Sequence, residues 1–261
     1  MSHKPTATRA PTLVSFSGID GAGKSTQIDA LRSSLNDAGL RVLLVTFWND
    51  VARLTRIREV SGHTLFQGDK GVGTPDRPVN RQDKNVQSWY MTPLRFCLYF
   101  VDTISLRWVV AKTLRSEADV VIFDRYAYDE LANLSLRNPI TRAYIQLLLW
   151  LAPRTDISYL LDADPVRARA RKPEYPLDFL HSSRASYLAL SELAGMTVIA
   201  PQPVQDVAQQ ILQEVMKKLS AEGLRSKEAK DTAGEELGVP IQLDPPAAQR
   251  TGSRDARPST L

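Results

Sequence analysis

The stretch Gly18-Ile19-Asp20-Gly21-Ala22-Gly23-Lys24-Ser25 concentrates glycine, one lysine and one hydroxyl ahead of a helical pattern. That composition suits the gripping of phosphate. Glycines let successive backbone N–H groups converge on anionic oxygens, and the following helix adds the positive end of its dipole. In the spacing G-x-x-x-x-G-K-[ST], the lysine reaches the β- and γ-phosphates of a nucleoside triphosphate and the hydroxyl ligates Mg²⁺. The candidate residues for ATP are therefore Gly18, Asp20, Gly21, Ala22, Gly23, Lys24, Ser25 and Thr26, with Ser25 also a candidate metal ligand.

A second constellation follows the apolar run Val120-Val121-Ile122-Phe123, which ends in Asp124-Arg125-Tyr126. A strand ending there sets a carboxylate at the carboxyl edge of a sheet, where open α/β sheets bind ligands. Asp124 is a candidate to orient the Mg²⁺ shell or the attacking group, and Arg125 offers a planar fork for phosphate. The plainer alternative is an aspartate capping the next helix beside a solvated arginine.

A third group, Arg167, Arg169, Arg171 and Lys172, follows "YLLDADPV". Such a run is either a solvated helix face or a phosphate clamp. In a chain that already holds a triphosphate the clamp is favoured, because phosphoryl transfer spreads charge that mobile arginines neutralise.

These residues need a scaffold. Short runs rich in Val, Ile, Leu or Phe at 12–17, 41–47, 119–123, 156–161 and 196–200 read as buried parallel strands. Helical patterns occupy 24–38, 51–60, 86–115, 126–134 with 140–151, 177–193 and 204–219. This alternation predicts an α/β fold, a three-layer open parallel sheet with helices on both faces, of the P-loop NTPase type. One P-loop domain is expected over 12–219, after a flexible N-terminus at 1–11. Residues 62–85 are expected to form a polar loop or flexible insertion, and 164–176 a lid. Residues 220–261 lack aromatics and are rich in polar, small and proline residues, which predicts a disordered tail.

Composition excludes other classes. The longest apolar runs are too short to cross a bilayer, and the polar N-terminus has no signal-peptide core, so a cytoplasmic location without membrane contact is expected. Cys97 is the single cysteine, and the three histidines have no metal-ligand spacing. The formal net charge of +4 suits nucleic acid as well as a multi-phosphate site, but no nucleic-acid-binding signature accompanies it. The expected partners are small-molecule nucleotides.

Together the motifs resemble the thymidylate kinase family of nucleoside monophosphate kinases over about 12–219. "SGIDGAGKSTQ" is similar to that family's phosphate loop, and Asp124-Arg125-Tyr126 to its signature after the third strand. "LDFLHSSRASYLAL" resembles its post-lid helix, with Asp178, Phe179, Arg184 and Tyr187 in register. The resemblance implies transfer of the ATP γ-phosphoryl group to a nucleoside monophosphate, with thymidine monophosphate the first acceptor. It implies that Lys24 and Ser25 with Mg²⁺ hold the ATP phosphates, and that Asp20 accepts from the acceptor 3′-hydroxyl. Arg125 would hold the acceptor phosphate, and Arg167, Arg169 and Arg171 would close over the transferring group. Lys24, Asp124, Arg125 and those three arginines are thus the catalytic candidates; Asp20, Tyr99, Thr103, Arg125 and Tyr126 are the acceptor candidates; Ser25 and Asp124 are the metal candidates. Dimers through the long helix at 86–115 are a further implication.

The departures lie on the acceptor side. The position of the family's base-reading arginine is Thr103, its Tyr-Gln pair becomes Asn133-Leu134, and the turn after the second strand reads Thr46-Phe47-Trp48-Asn49-Asp50. Phe47-Trp48 serves either as a hydrophobic staple or as a base-stacking pair. Two other functions stay open: a kinase of a different acceptor, such as a deoxynucleoside or another phosphorylated metabolite, and an ATP-binding regulator without turnover.

Overall fold

The computed structural model describes residues 10–51 and 91–236, with side chains from 96 onward in the second stretch and up to 221. The expected N-terminal segment up to residue 9, the helix over 52–60 and the insertion at 62–85 lie outside the described residues.

Five strands form one parallel sheet in the order β2-β3-β1-β4-β5. They are β1 (Thr12–Ser17), β2 (Val42–Thr46), β3 (Val120–Asp124), β4 (Ile157–Leu161) and β5 (Thr197–Ile199). The described helices are α1 (Lys24–Asp37), α2 (Met91–Thr113), α3 (Ala127–Leu131), α4 (Pro139–Leu151), α5 (Pro165–Arg171), α6 (Leu177–Ala194) and α7 (Val204–Glu236). A π-helical turn, Phe47–Val51, follows β2. The expected strand–helix alternation matches these elements closely.

Side-chain alternation along the strands divides the core in two. Val14 and Phe16 of β1, Val120 and Ile122 of β3, and Tyr159 and Leu161 of β4 face one way. There they meet Ile28, Leu31 and Leu35 of α1 and Val207, Ile211, Val215 and Leu219 of α7. Leu13, Val121, Phe123 and Leu160 face the other way, toward Leu106 and Val110 of α2, Leu131, Ile145, Leu148, Leu180 and Leu190. Helices therefore cover both faces, the arrangement that an all-parallel sheet requires.

The order of strands decides where a ligand can sit. From β1 the chain crosses to β2 and returns to β3, then crosses to β4 on the opposite side of β1. The reversal opens a crevice at the carboxyl end of β1, the usual ligand site of such sheets. Register sets Phe16 beside Asp124 and Ser17 beside Leu160, so the loops after β1, β3 and β4 leave from one edge.

One expectation is corrected here. The last helix does not stop at 219 but runs on to Glu236. Residues 220–236 contain three alanines, four glutamates and two lysines and no proline, and extending a nucleated helix costs far less than starting one. The chain divides into compact units Met1–Leu219 and Ser220–Leu261, and 237–261 lie outside the described residues.

Candidate active site

The glycine loop owes its sequence to what surrounds it. Gly18 has φ +144°, and a Cβ there would stand 2.6 Å from the carbonyl oxygen of Leu161 at the end of β4. Gly21 has φ +82°, and its Cβ would run into the backbone carbonyl of Ala168 in α5. Only glycine permits both the left-handed turn and the close approach. Gly23, at φ 94°, stands at the N-cap of α1 without a side-chain cap, and no acidic residue occupies the first turn. The first N–H groups of that helix lack intrahelical partners, which makes them available to an anion. Ser25 and Thr26 are exposed beside them, while Ala22 is half-buried.

Lys24 is 7% exposed and donates from Nζ to Gly18 O at 2.6 Å and Ile19 O at 3.0 Å. Burial, then the positive charge of Arg125, bring its pKa down to about 8, against the opposing pull of Asp129, Asp20 and Asp124. The ammonium thus sits within electrostatic reach of every carboxylate in the crevice.

Asp124 closes β3, half-buried, opposite Phe16 on one side and Thr46 on the other. Arg125 then turns into the left-handed region at φ 69° while its N–H donates to Phe16 O at 3.1 Å. Arginine in that region is strained. Its guanidinium offers Nη2 to Asp20 Oδ1 at 2.5 Å and Nη1 to Asp129 Oδ1 at 3.4 Å. Burial alone would raise the Asp20 carboxyl, but Arg125, Lys24 and Lys172 outweigh it and hold the group below the ordinary carboxylate value. Burial likewise disfavours the Arg125 cation, yet Asp129 and Asp20 overcome that and push its pKa above the ordinary value.

Asp129 was not among the residues singled out from sequence. It is 4% exposed and its carboxylate also accepts from Ser17 Oγ at 2.7 Å, Tyr187 Oη at 2.8 Å and the Tyr126 N–H at 3.1 Å. Burial, then the Asp129 charge, push the Tyr187 phenol well above its usual pKa. In sequence Asp129 reads as an ordinary acid in the first turn of a helix. The one local signal was its i,i+4 spacing from Arg125.

The lid arginines lie on α5, which Asp164 caps by accepting from the Arg167 N–H at 2.9 Å. Arg167 and Arg171 are exposed and Arg169 half-buried. Among the described residues none of the three guanidinium groups has a carboxylate partner. Lys172 lies 3.9 Å from Asp20 and 3.3 Å from Glu174. Before the lid, Asp162 takes a two-pronged contact from Arg184 of α6, at 2.6 and 2.7 Å.

The acceptor candidates separate. Asp20 and Arg125 come together at the crevice. Tyr126 stands apart from them: its ring is fully buried and its hydroxyl donates to Pro153 O at 2.6 Å. The extended backbone of Tyr126 at the cap of α3 turns the ring into the core. Thr103 is 3% exposed and gives its hydroxyl to Tyr99 O at 2.7 Å on the same helix, and Tyr99 is half-buried. Asn133 donates its amide to Asp129 O at 3.0 Å. Phe47 is core at 1% exposure, which favours the staple, whereas its edge-on neighbour Trp48 is 37% exposed.

No family model matches the chain. Comparison with curated proteins finds a thymidylate kinase of Bifidobacterium longum, 29% identical over 196 residues that cover 73% of this chain and 84% of the relative. A thymidylate kinase of Xanthomonas euvesicatoria pv. vesicatoria is 29% identical over 72% of this chain and 75% of its own. A probable thymidylate kinase of Archaeoglobus fulgidus is 22% identical over 76% and 92%. The chain is a divergent relative of the thymidylate kinases. Such shares leave no room for the likeness to be confined to the glycine loop. In this thymidylate kinase relative the crevice combines a helix N-terminus, a buried lysine, an arginine between two carboxylates and an arginine-bearing helix against the loop. That set can receive two phosphorylated groups and neutralise charge between them.

Proposed function

We propose that the chain transfers the γ-phosphoryl group of ATP to a nucleoside monophosphate, with thymidine monophosphate as the first candidate. The observation that carries the reading is Arg125, which stands between Asp20 of the loop and Asp129. The phosphate site of α1 and a second cationic seat thereby share one crevice, as in-line transfer between two anions requires.

ATP would lay its β- and γ-phosphates against the loop amides and Lys24. The acceptor phosphate would meet Arg125, and Asp20 would take the acceptor sugar hydroxyl. An acceptor phosphate oxygen forms the new bond to the γ-phosphorus as the bond to the β,γ-bridging oxygen breaks. The electron pair leaves with the diphosphate. Arg167, Arg169 and Arg171 would neutralise the equatorial oxygens and help exclude water. The exposed Ser25 hydroxyl and the Asp124 carboxylate are hard oxygen donors, which fit Mg²⁺ completed by substrate phosphates and water. When bound, that ion offsets charge on the transferring group.

A different acceptor is the second reading, favoured by a specific observation. Thr103 Oγ1 and Asn133 Nδ2 each donate to a backbone carbonyl, which leaves fewer hydrogen-bonding groups to read a pyrimidine edge. The regulator reading is weaker, because Arg125 and the lid arginines have no evident use without transfer. The homodimer stays part of the proposal, with Trp108 of α2 at 72% exposure and Trp150 of α4 at 76% in its support. So does a cytoplasmic location; among the described residues no helix is long and apolar enough to cross a membrane. The test is a panel of deoxy- and ribonucleoside monophosphates and deoxynucleosides assayed with ATP and Mg²⁺. Turnover of thymidine monophosphate supports the first reading and turnover of another member the second. Folded, ATP-binding protein that turns over none refutes the transfer chemistry.

A further inference from the structure

Two carboxylates hold Arg125, and they differ in how they are themselves held. Asp20 lies on the loop, and its described partners are the cations Arg125 and Lys172. Asp129 is 1% exposed at its side chain, and three donors other than Arg125 fix it: the Ser17 hydroxyl and Tyr126 N–H on Oδ2, the Tyr187 hydroxyl on Oδ1. Those donors come from the end of β1, the β3–α3 junction and α6. Removing Arg125 would leave Asp129 held in place by three protein donors, whereas Asp20 would lose its main counter-charge. One is an anchor and the other an exchangeable ligand.

We propose that Asp129 is the positioning residue for Arg125: it fixes the Nη1 edge of the guanidinium, so that the Nη2 edge, which Asp20 occupies, is the one an acceptor phosphate takes over. The inference rests on the transfer reading above. The strained backbone of Arg125 agrees with it, because a left-handed arginine persists only where surrounding contacts over-determine its conformation. Anchoring one edge also removes rotamer freedom that the cation would otherwise lose on binding. A second consequence concerns affinity. A fixed anion beside Arg125 weakens its hold on phosphate while improving its aim, so its loss should affect turnover and binding in opposite directions.

The test is Asp129→Asn, which keeps shape and one acceptor oxygen. The expected result is a fall in kcat of about tenfold or more with KM for the acceptor monophosphate unchanged or lower and ATP affinity unchanged. A purely structural role would lower the melting temperature and leave kcat per folded molecule alone. Folded Asp129→Asn protein with kcat within about twofold of wild type overturns the proposal. Should that variant not fold, Tyr187→Phe and Ser17→Ala each remove one donor and keep the charge. Each is expected to lower kcat by about threefold, and unchanged kcat in both overturns the anchor role. Peptide-resolved labelling by an arginine-selective dicarbonyl gives a readout that needs no turnover. Arg125 should label faster in Asp129→Asn, with Arg184 unaffected, and equal Arg125 rates count against the proposal. If wild type transfers phosphate to nothing yet Arg125 labelling responds, the proposed function fails and the anchor stands.

Discussion

Lys24 and Arg125, in the crevice, have a named partner for each donor edge the site uses, whereas Arg167, Arg169 and Arg171 on α5 have no carboxylate partner among the described residues. Lys24 is buried and Arg125 half-buried, and both have shifted pKa values; the α5 cations are exposed or half-buried. Buried charge must be compensated or it would cost several kcal/mol, so the crevice is organised before any nucleotide arrives. Exposed arginines bear no such constraint and keep their charge for a ligand. Preorganisation belongs to the crevice, and adaptability to α5.

The sharpest way to break this contrast is at Lys24. Lys24→Ala is expected to lower kcat by about a thousandfold, more than it weakens ATP binding, because the ammonium is best matched to charge in the transition state. Near-normal turnover would show that the crevice does not act through preorganised charge. On the lid side, Arg167→Ala, Arg169→Ala and Arg171→Ala made singly should include at least one loss of about a hundredfold in kcat. None should move the melting temperature appreciably, as no described ion pair is lost. A drop in melting temperature equal to that of a buried-pair variant would erase the distinction.

The two regions meet at Gly21, which touches the Ala168 carbonyl. Gly21→Ala forces loop and α5 apart and strains the turn by about 1–3 kcal/mol. The expected result is a folded protein with kcat down about tenfold and a melting temperature lowered by a few degrees. Unchanged kinetics would mean that loop and lid act independently.

The smallest effect is the response to pH. With Lys24 at about 8 in the fold and an ordinary value of 10.5, the unfolded chain binds this proton more tightly. Between those values the contribution of Lys24 to stability therefore rises with pH, as the cost of a buried ammonium is relieved. Activity should move the opposite way: kcat/KM of the free enzyme falls above pH 8, by about fourfold at pH 8.5. The pH–rate profile checks this, and a flat profile to pH 10 would show that Lys24 titrates elsewhere.

Much of the fold was legible because its signals are local. Apolar runs at 12–17 and 119–123 are strands wherever the chain takes them, and Gly18 to Thr26 must bend and then coil. The acceptor side was less legible. Tyr126 follows Arg125 directly and shares its motif, yet its ring turns into the core, since the backbone direction at a strand end decides which neighbour faces the crevice. Thr103 and Asn133 were visible as departures, but their engagement by backbone carbonyls was not. The run of α7 past 219 was missed because loss of apolar period marks the end of packing, not of the helix.

The amino-acid sequence by itself determined the glycine-rich loop, the strand–helix alternation and the pool of cations, because contiguous residues carry each of them. Only the tertiary structure decided which charges meet. Asp20 and Arg125 are 105 positions apart, Ser17 and Asp129 are 112, and Tyr187 and Asp129 are 58. Those pairings exist because the crossover from β2 returns β3 to the side of β1 and α6 packs against α3. No local pattern states that choice, since burial of the whole sheet selects it.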